Sequence, residues 1–164
     1  MRKIIIGVMG PGDRTTASDL AYAYELGQLI AQQGWVLLTG GRNVGVMDAA
    51  SKGAKEANGL TIGILPKNDR NSISEGVDIA IFTDMGNARN NINVLSSDIV
   101  IVCGMSTGTA SEVALALRSN KKVILLNNTE ESKAFFTSLS KDNVFIVTNP
   151  REAILTAKEI GDFA

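Results

Sequence analysis

Three stretches of the chain gather glycines with hydroxyl, amide or arginine side chains where an apolar run gives way to a helical pattern. They are Gly7-Val8-Met9-Gly10-Pro11-Gly12, Thr39-Gly40-Gly41-Arg42-Asn43-Val44-Gly45 and Gly104-Met105-Ser106-Thr107-Gly108-Thr109. Glycine lets a backbone approach a ligand closely, and the first N–H groups of a helix are unpaired donors with a partial positive charge. Such loops suit an oxyanion, phosphate above all. In the second stretch the paired Gly40 and Gly41 let successive N–H groups converge, with Arg42 and Asn43 beside them. In the third, the Ser106, Thr107 and Thr109 hydroxyls join Gly108 at a helix start. Gly10 and Gly12 read either as ligand contacts or as a tightly packed turn. None of the three is a P-loop, because the Gly-Lys-Ser/Thr ending is absent. Nor is the second the dinucleotide fingerprint, since its spacing differs and no acidic residue takes the ribose-binding part.

Arg89 follows Gly86-Asn87-Ala88 and precedes Asn90, Asn91 and Asn93, a guanidinium among short amides. It reads either as an anion clamp or as a surface charge, and Arg42 stands between the same two readings. Glu112 either acts as a general acid/base, or orients Arg89, or completes a capping box with Thr109. The chain has no histidine, which removes Ser-His-Asp and Cys-His pairings and any histidine-based metal site. Its one cysteine, Cys103, reads as a small buried hydrophobe, so no metal held by the protein's own ligands is expected. Met9, Met47, Met85 and Met105 each lie beside a glycine loop, where a thioether either fills gaps or lines a flat heterocycle.

The elements that position these residues alternate short β-branched runs with longer helical stretches. Strands are expected at 4–9, 35–39, 60–65, 78–83, 98–103, 122–126 and 144–147. Helices are expected at 18–33, 44–57, 88–97, 110–119, 129–139 and 150–160, with Ser18 as the first N-cap. This is the pattern of an α/β protein of three layers, with a mainly parallel sheet of about seven strands covered on both faces. No linker, repeat or low-complexity run interrupts the series, so residues 1–164 read as one domain. Ligands of such sheets bind outside the carboxyl ends of the strands, near the point where strand order reverses. All three glycine loops follow strands.

With 17 acidic and 16 basic residues interspersed along the chain, neither a nucleic-acid surface nor a membrane surface is expected. The opening run is too short for a signal peptide or a membrane span, and a lone cysteine gives no sign of an oxidising compartment. The chain reads as cytoplasmic.

Several segments carry a resemblance. GVMGPG at 7–12, GWVLLTGGRNVGVMDAASKGAKEANGLTIGILP at 34–66, NARNNINVLSSDIVIVCGMSTGTASEVALAL at 87–117 and KAFFTSL at 133–139 resemble the molybdenum cofactor carrier proteins of green algae and their cyanobacterial relatives. More distantly the chain is similar to the LOG superfamily, formerly called lysine decarboxylase-like. The resemblance implies a Rossmann-like fold and a homo-oligomer, dimer or tetramer. It implies binding, protection and transfer of the molybdenum cofactor, a phosphorylated pterin with a dithiolene-held metal, to insertion or acceptor proteins. Free molybdate, close to phosphate in shape and charge, would suit the same donors.

LOG enzymes cleave cytokinin nucleoside monophosphates with an arginine, a glutamate and a PGGxGTxxE loop. Arg89 falls on the arginine, Glu112 on the glutamate and Gly108-Thr109 on the GT. Gly104-Met105-Ser106 replaces PGG, and Asn90 stands where those enzymes have a lysine, so a positive charge is lost. The alternatives to a carrier are thus a phosphoribohydrolase using Arg89 and Glu112, or a protein that binds a nucleotide or small oxyanion.

Overall fold

Residues that alternate between two apolar faces form the inner strands, and that alternation builds a layer of helices on each side of one sheet. The computed structural model describes residues 2–161; Met1 and residues 162–164 of the expected domain lie outside the described residues. Seven strands run in chain order: β1 Ile5–Met9, β2 Val36–Thr39, β3 Leu60–Leu65, β4 Ile79–Phe82, β5 Ile99–Cys103, β6 Lys122–Leu126 and β7 Val144–Val147. All pairings are parallel, in the order β4-β3-β2-β1-β5-β6-β7. The direction of winding therefore reverses between β1 and β5.

The helices are α1 Ala17–Gln32, α2 Gly45–Glu56, α3 Arg89–Ser96, α4 Thr107–Arg118, α5 Glu130–Leu139 and α6 Pro150–Ile160. Ile6, Val8, Leu37, Ile101 and Ile124 face α1, α2 and α6; Leu38, Ile64, Val100, Val102 and Leu125 face α3, α4 and α5. This is the expected Rossmann-like α/β sandwich, with a sheet that is parallel throughout. Cys103 is fully buried, and burial pushes its thiol up to about 12, so it is inert at neutral pH.

The closest helix contact depends on two glycines. A Cβ on Gly27 of α1 would meet the Ala50 carbonyl oxygen at 2.0 Å, and one on Gly53 of α2 would meet the Tyr24 carbonyl oxygen at 2.0 Å. The bare backbones let the two helices touch, and this fixes the loops that precede them.

Several boundaries differ from the sequence reading. Thr16, not Ser18, caps α1: its side chain accepts the Asp19 N–H while Asp19 accepts the Thr16 N–H, a complete capping box. Asp78 and Asp98 stop short of the ladder and use their carboxylates to accept the Thr61 and Ile5 N–H groups of neighbouring strands, each at 2.8 Å. The most consequential shift is in α4, which starts at Thr107, three residues earlier than expected. Among the described residues no helix is long and apolar enough to cross a membrane.

Candidate functional site

The carboxyl ends of β1 and β2 and the starts of α3 and α4 enclose a cavity of about 130 Å³. Of the residues singled out in the sequence, Gly10, Gly12, Gly40, Arg42, Arg89, Ser106, Gly108, Thr109 and Glu112 line it. Gly41, Asn43 and Thr107 do not. The Gly41 N–H donates to Thr39 Oγ1 at 3.0 Å and its carbonyl accepts from the Ser74 N–H, so local structure uses both groups. The Asn43 N–H and side chain bond the Ser72 and Asn71 carbonyls. Thr107 is exposed at the first position of α4.

The early start of α4 changes what its first turn does. Ser106 is the N-cap, accepting the Thr109 N–H at 3.2 Å and pairing with Thr109 Oγ1 at 2.9 Å. The Thr109–Glu112 capping box, one of the alternatives for Glu112, is therefore not formed, and Glu112 lines the cavity. The N–H groups at the very start of α4 have no intrahelical partner and give the cavity a partial positive wall.

Arg89 opens α3 and is buried. Its Nη1 donates to Asn90 Oδ1 at 2.7 Å, its Nη2 donates weakly to the Gly40 carbonyl at 3.4 Å, and its Nε has no partner. Gly40 lets both side chains approach closely here: a Cβ would meet Met47 Sδ at 2.6 Å and Arg89 Nη2 at 2.7 Å, so both would have to shift. Burial lowers the Arg89 pKa, Glu112 opposes this, and Arg42 adds to it, so two like charges face one cavity. The Arg42 guanidinium forms no hydrogen bond or ion pair among the described residues. Arg89 nevertheless stays charged at any physiological pH.

One carboxylate opposes this charge. Glu112 Oε1 accepts from Asn93 Nδ2 at 2.9 Å and lies 3.8 Å from Arg89 Nη1, an ion pair without a hydrogen bond. Burial is the largest influence and raises the carboxyl to about 7, against the lowering effects of Asn93 and Arg89. Near neutral pH its negative charge is therefore reduced, and the cavity carries net positive charge from two arginines. An anion placed here would find donors already aimed and little carboxylate repulsion.

Sequence reasoning missed two positioning roles. Asn93 holds Glu112, and Asn90 bridges to α4 through Ser111 Oγ at 2.9 Å. Their spacing from those partners shows only once α3 lies against α4. Val8 and Asn87 also line the cavity, with no signal in the sequence to single them out. Met9 and Met47 line it too, whereas Met105 lines a neighbouring cavity and Met85 is half exposed.

Comparison with known proteins agrees with this architecture. Residues 3–154 match the model of the SLOG cluster4 family. The molybdenum cofactor binding protein of the phototrophic bacterium Rippkaea orientalis is 61% identical in sequence, with a TM-score of 0.95 and 98% of each chain covered. The molybdenum cofactor carrier protein of Chlamydomonas reinhardtii is 53% identical, with a TM-score of 0.92, over 96% of this chain and 98% of that one. The cytokinin riboside 5'-monophosphate phosphoribohydrolase of Mycobacterium tuberculosis is 36% identical over 101 residues, 60% of this chain and 54% of the enzyme.

Proposed function

The chain belongs to the SLOG cluster4 family, and we propose that it binds the molybdenum cofactor by its terminal phosphate, shields it and hands it on without converting it. The observation that carries the reading is the convergence of Arg42, Arg89 with its free Nε, and the start of α4 on one small cavity. Its relatives from Rippkaea orientalis and Chlamydomonas reinhardtii, matched over nearly their whole length, supply the identity of the ligand. A cavity of about 130 Å³ is well below the ~300–1,000 Å³ of pockets that bury a drug-sized molecule. It encloses a phosphate-sized group, with the pterin beyond it. Gly10, Gly12, Gly40, Ser106, Gly108 and Thr109 shape the cradle, Arg42 and Arg89 supply charge, and Glu112 sets how much of that charge is offset.

The whole chain acts as one unit in this reading, in the cytoplasm, as a homodimer or homotetramer that passes its cargo to insertion or acceptor proteins. Ile79 and Ile81 on the edge strand β4 and Leu95 on α3 are exposed apolar side chains that a second copy would cover.

A second reading is favoured by Glu112 alone. A buried carboxyl with a pKa of about 7 is what general acid/base chemistry on a ribosyl bond needs. Native mass spectrometry of protein prepared without oxygen separates the two. The carrier binds molybdenum cofactor stoichiometrically and leaves AMP intact. Release of ribose 5-phosphate from AMP would instead establish the hydrolase.

A further inference from the structure

The anion cavity has a larger neighbour, of about 380 Å³, and the two share a wall. Gly10 and Gly12 line the first while Pro11 lines the second; Ser106 lines the first while Gly104 and Met105 line the second. The second cavity lies outside the carboxyl ends of β1, β5 and β6, in the crevice where strand order reverses.

Its buried polar lining consists of acceptors. Asp19 is 4% exposed; its Oδ2 accepts the Thr16 N–H at 2.9 Å and its Oδ1 accepts from Asn127 Nδ2 at 2.6 Å. A carboxylate has about four acceptor positions, so the cap and Asn127 leave capacity on both oxygens. Asn128, 9% exposed, donates from Nδ2 to the Leu126 and Val102 carbonyls at 2.8 and 3.3 Å. Those bonds fix the orientation of its amide and leave Oδ1 buried with no partner. A buried acceptor without a donor is unfavourable. Pro11 and Met105 add apolar surface, and a thioether packs well against an aromatic ring.

We infer that this second cavity is the subsite for the ring end of the ligand, taking a flat heterocycle whose edge presents adjacent N–H donors. The amino-oxo-pyrimidine half of a pterin has such an edge, and guanine has the same one. Adenine puts an acceptor nitrogen beside its amino group and would turn a lone pair toward the Asp19 carboxylate. The subsite thus separates pterin and guanine from adenine, and it rests on the reading of the first cavity as the phosphate end.

Hydroxymethylpterin, which carries no phosphate, is titrated into the protein and followed by fluorescence, with inorganic phosphate titrated separately by calorimetry. Pterin is expected to bind even at saturating phosphate, with guanosine competing and adenosine not. Asp19→Asn and Met105→Gln are each expected to weaken pterin binding about tenfold or more and to leave phosphate binding unchanged. Met105→Gln keeps the test independent of the α1 cap that Asp19 also serves, and thermal melts confirm folding. Arg89→Met is expected to do the reverse, weakening phosphate and sparing pterin. Absence of pterin binding, displacement of pterin by phosphate, or undiminished pterin binding in both subsite variants would overturn the subsite and leave the anion site standing. Phosphate binding that survives Arg89→Met would overturn the anion site instead.

Discussion

Glu112 is the residue on which the charge of the anion site turns. Folded, it holds its proton up to about pH 7, against an ordinary value of 4.5, chiefly because it is buried. Its contribution to stability is therefore complete below pH 4.5 and is lost as the pH rises through about 7. Between about pH 5 and pH 8 the protein should lose about 2–3 kcal/mol relative to a Glu112→Gln variant, read by urea unfolding at each pH. Parallel pH profiles for the two proteins would show that the carboxyl is not held neutral. The sequence named Glu112 as a candidate but offered three roles for it. The choice between them depends on Asn93, whose amide reaches it from another helix. No local pattern encodes that contact.

Among the elements, α4 shows how a small boundary shift changes function. Ser106-Thr107-Gly108 reads as loop because serine, threonine and glycine disfavour helix interiors, yet Ser106 is a good N-cap and the helix begins directly after it. Ser106→Ala should cost about 1 kcal/mol in stability through the lost cap and also weaken phosphate binding, because the side chain lines the cavity. Thr107→Ala, exposed and outside the cavity, should change neither. Urea unfolding with phosphate calorimetry on each variant checks both. The α1–α2 contact makes a prediction of opposite sign to propensity. In an exposed helix, glycine to alanine gains up to about 1 kcal/mol. At Gly27 and Gly53 the added Cβ meets a backbone oxygen at 2.0 Å, so Gly27→Ala and Gly53→Ala should each lose about 1–3 kcal/mol in urea unfolding. The strands were legible because their continuous β-branched runs leave no competing reading. The fate of single N–H groups, such as that of Gly41, was not legible, because it depends on which side chain folds back onto the loop.

At the scale of the whole molecule, a parallel sheet that reverses its winding between β1 and β5 brings loops distant in sequence to one edge. The glycine stretches after β1, β2 and β5, together with the start of α3, meet there and nowhere else in the chain order. The order of strands could not be read from the alternation of elements, but the rule that ligands bind at the carboxyl edge held without it. Near-zero net charge coexists with a positive cavity because Arg42 and Arg89 both line it, with Glu112 as the one carboxylate residue among the lining. The measurement that bears most directly on this reading is a crystal structure of the protein loaded with molybdenum cofactor in the absence of oxygen. The phosphate should lie between Arg42, Arg89 and the first N–H groups of α4. A phosphate seated elsewhere, with Arg89 still bonded to Asn90 and Gly40 and its Nε unpartnered, would contradict it.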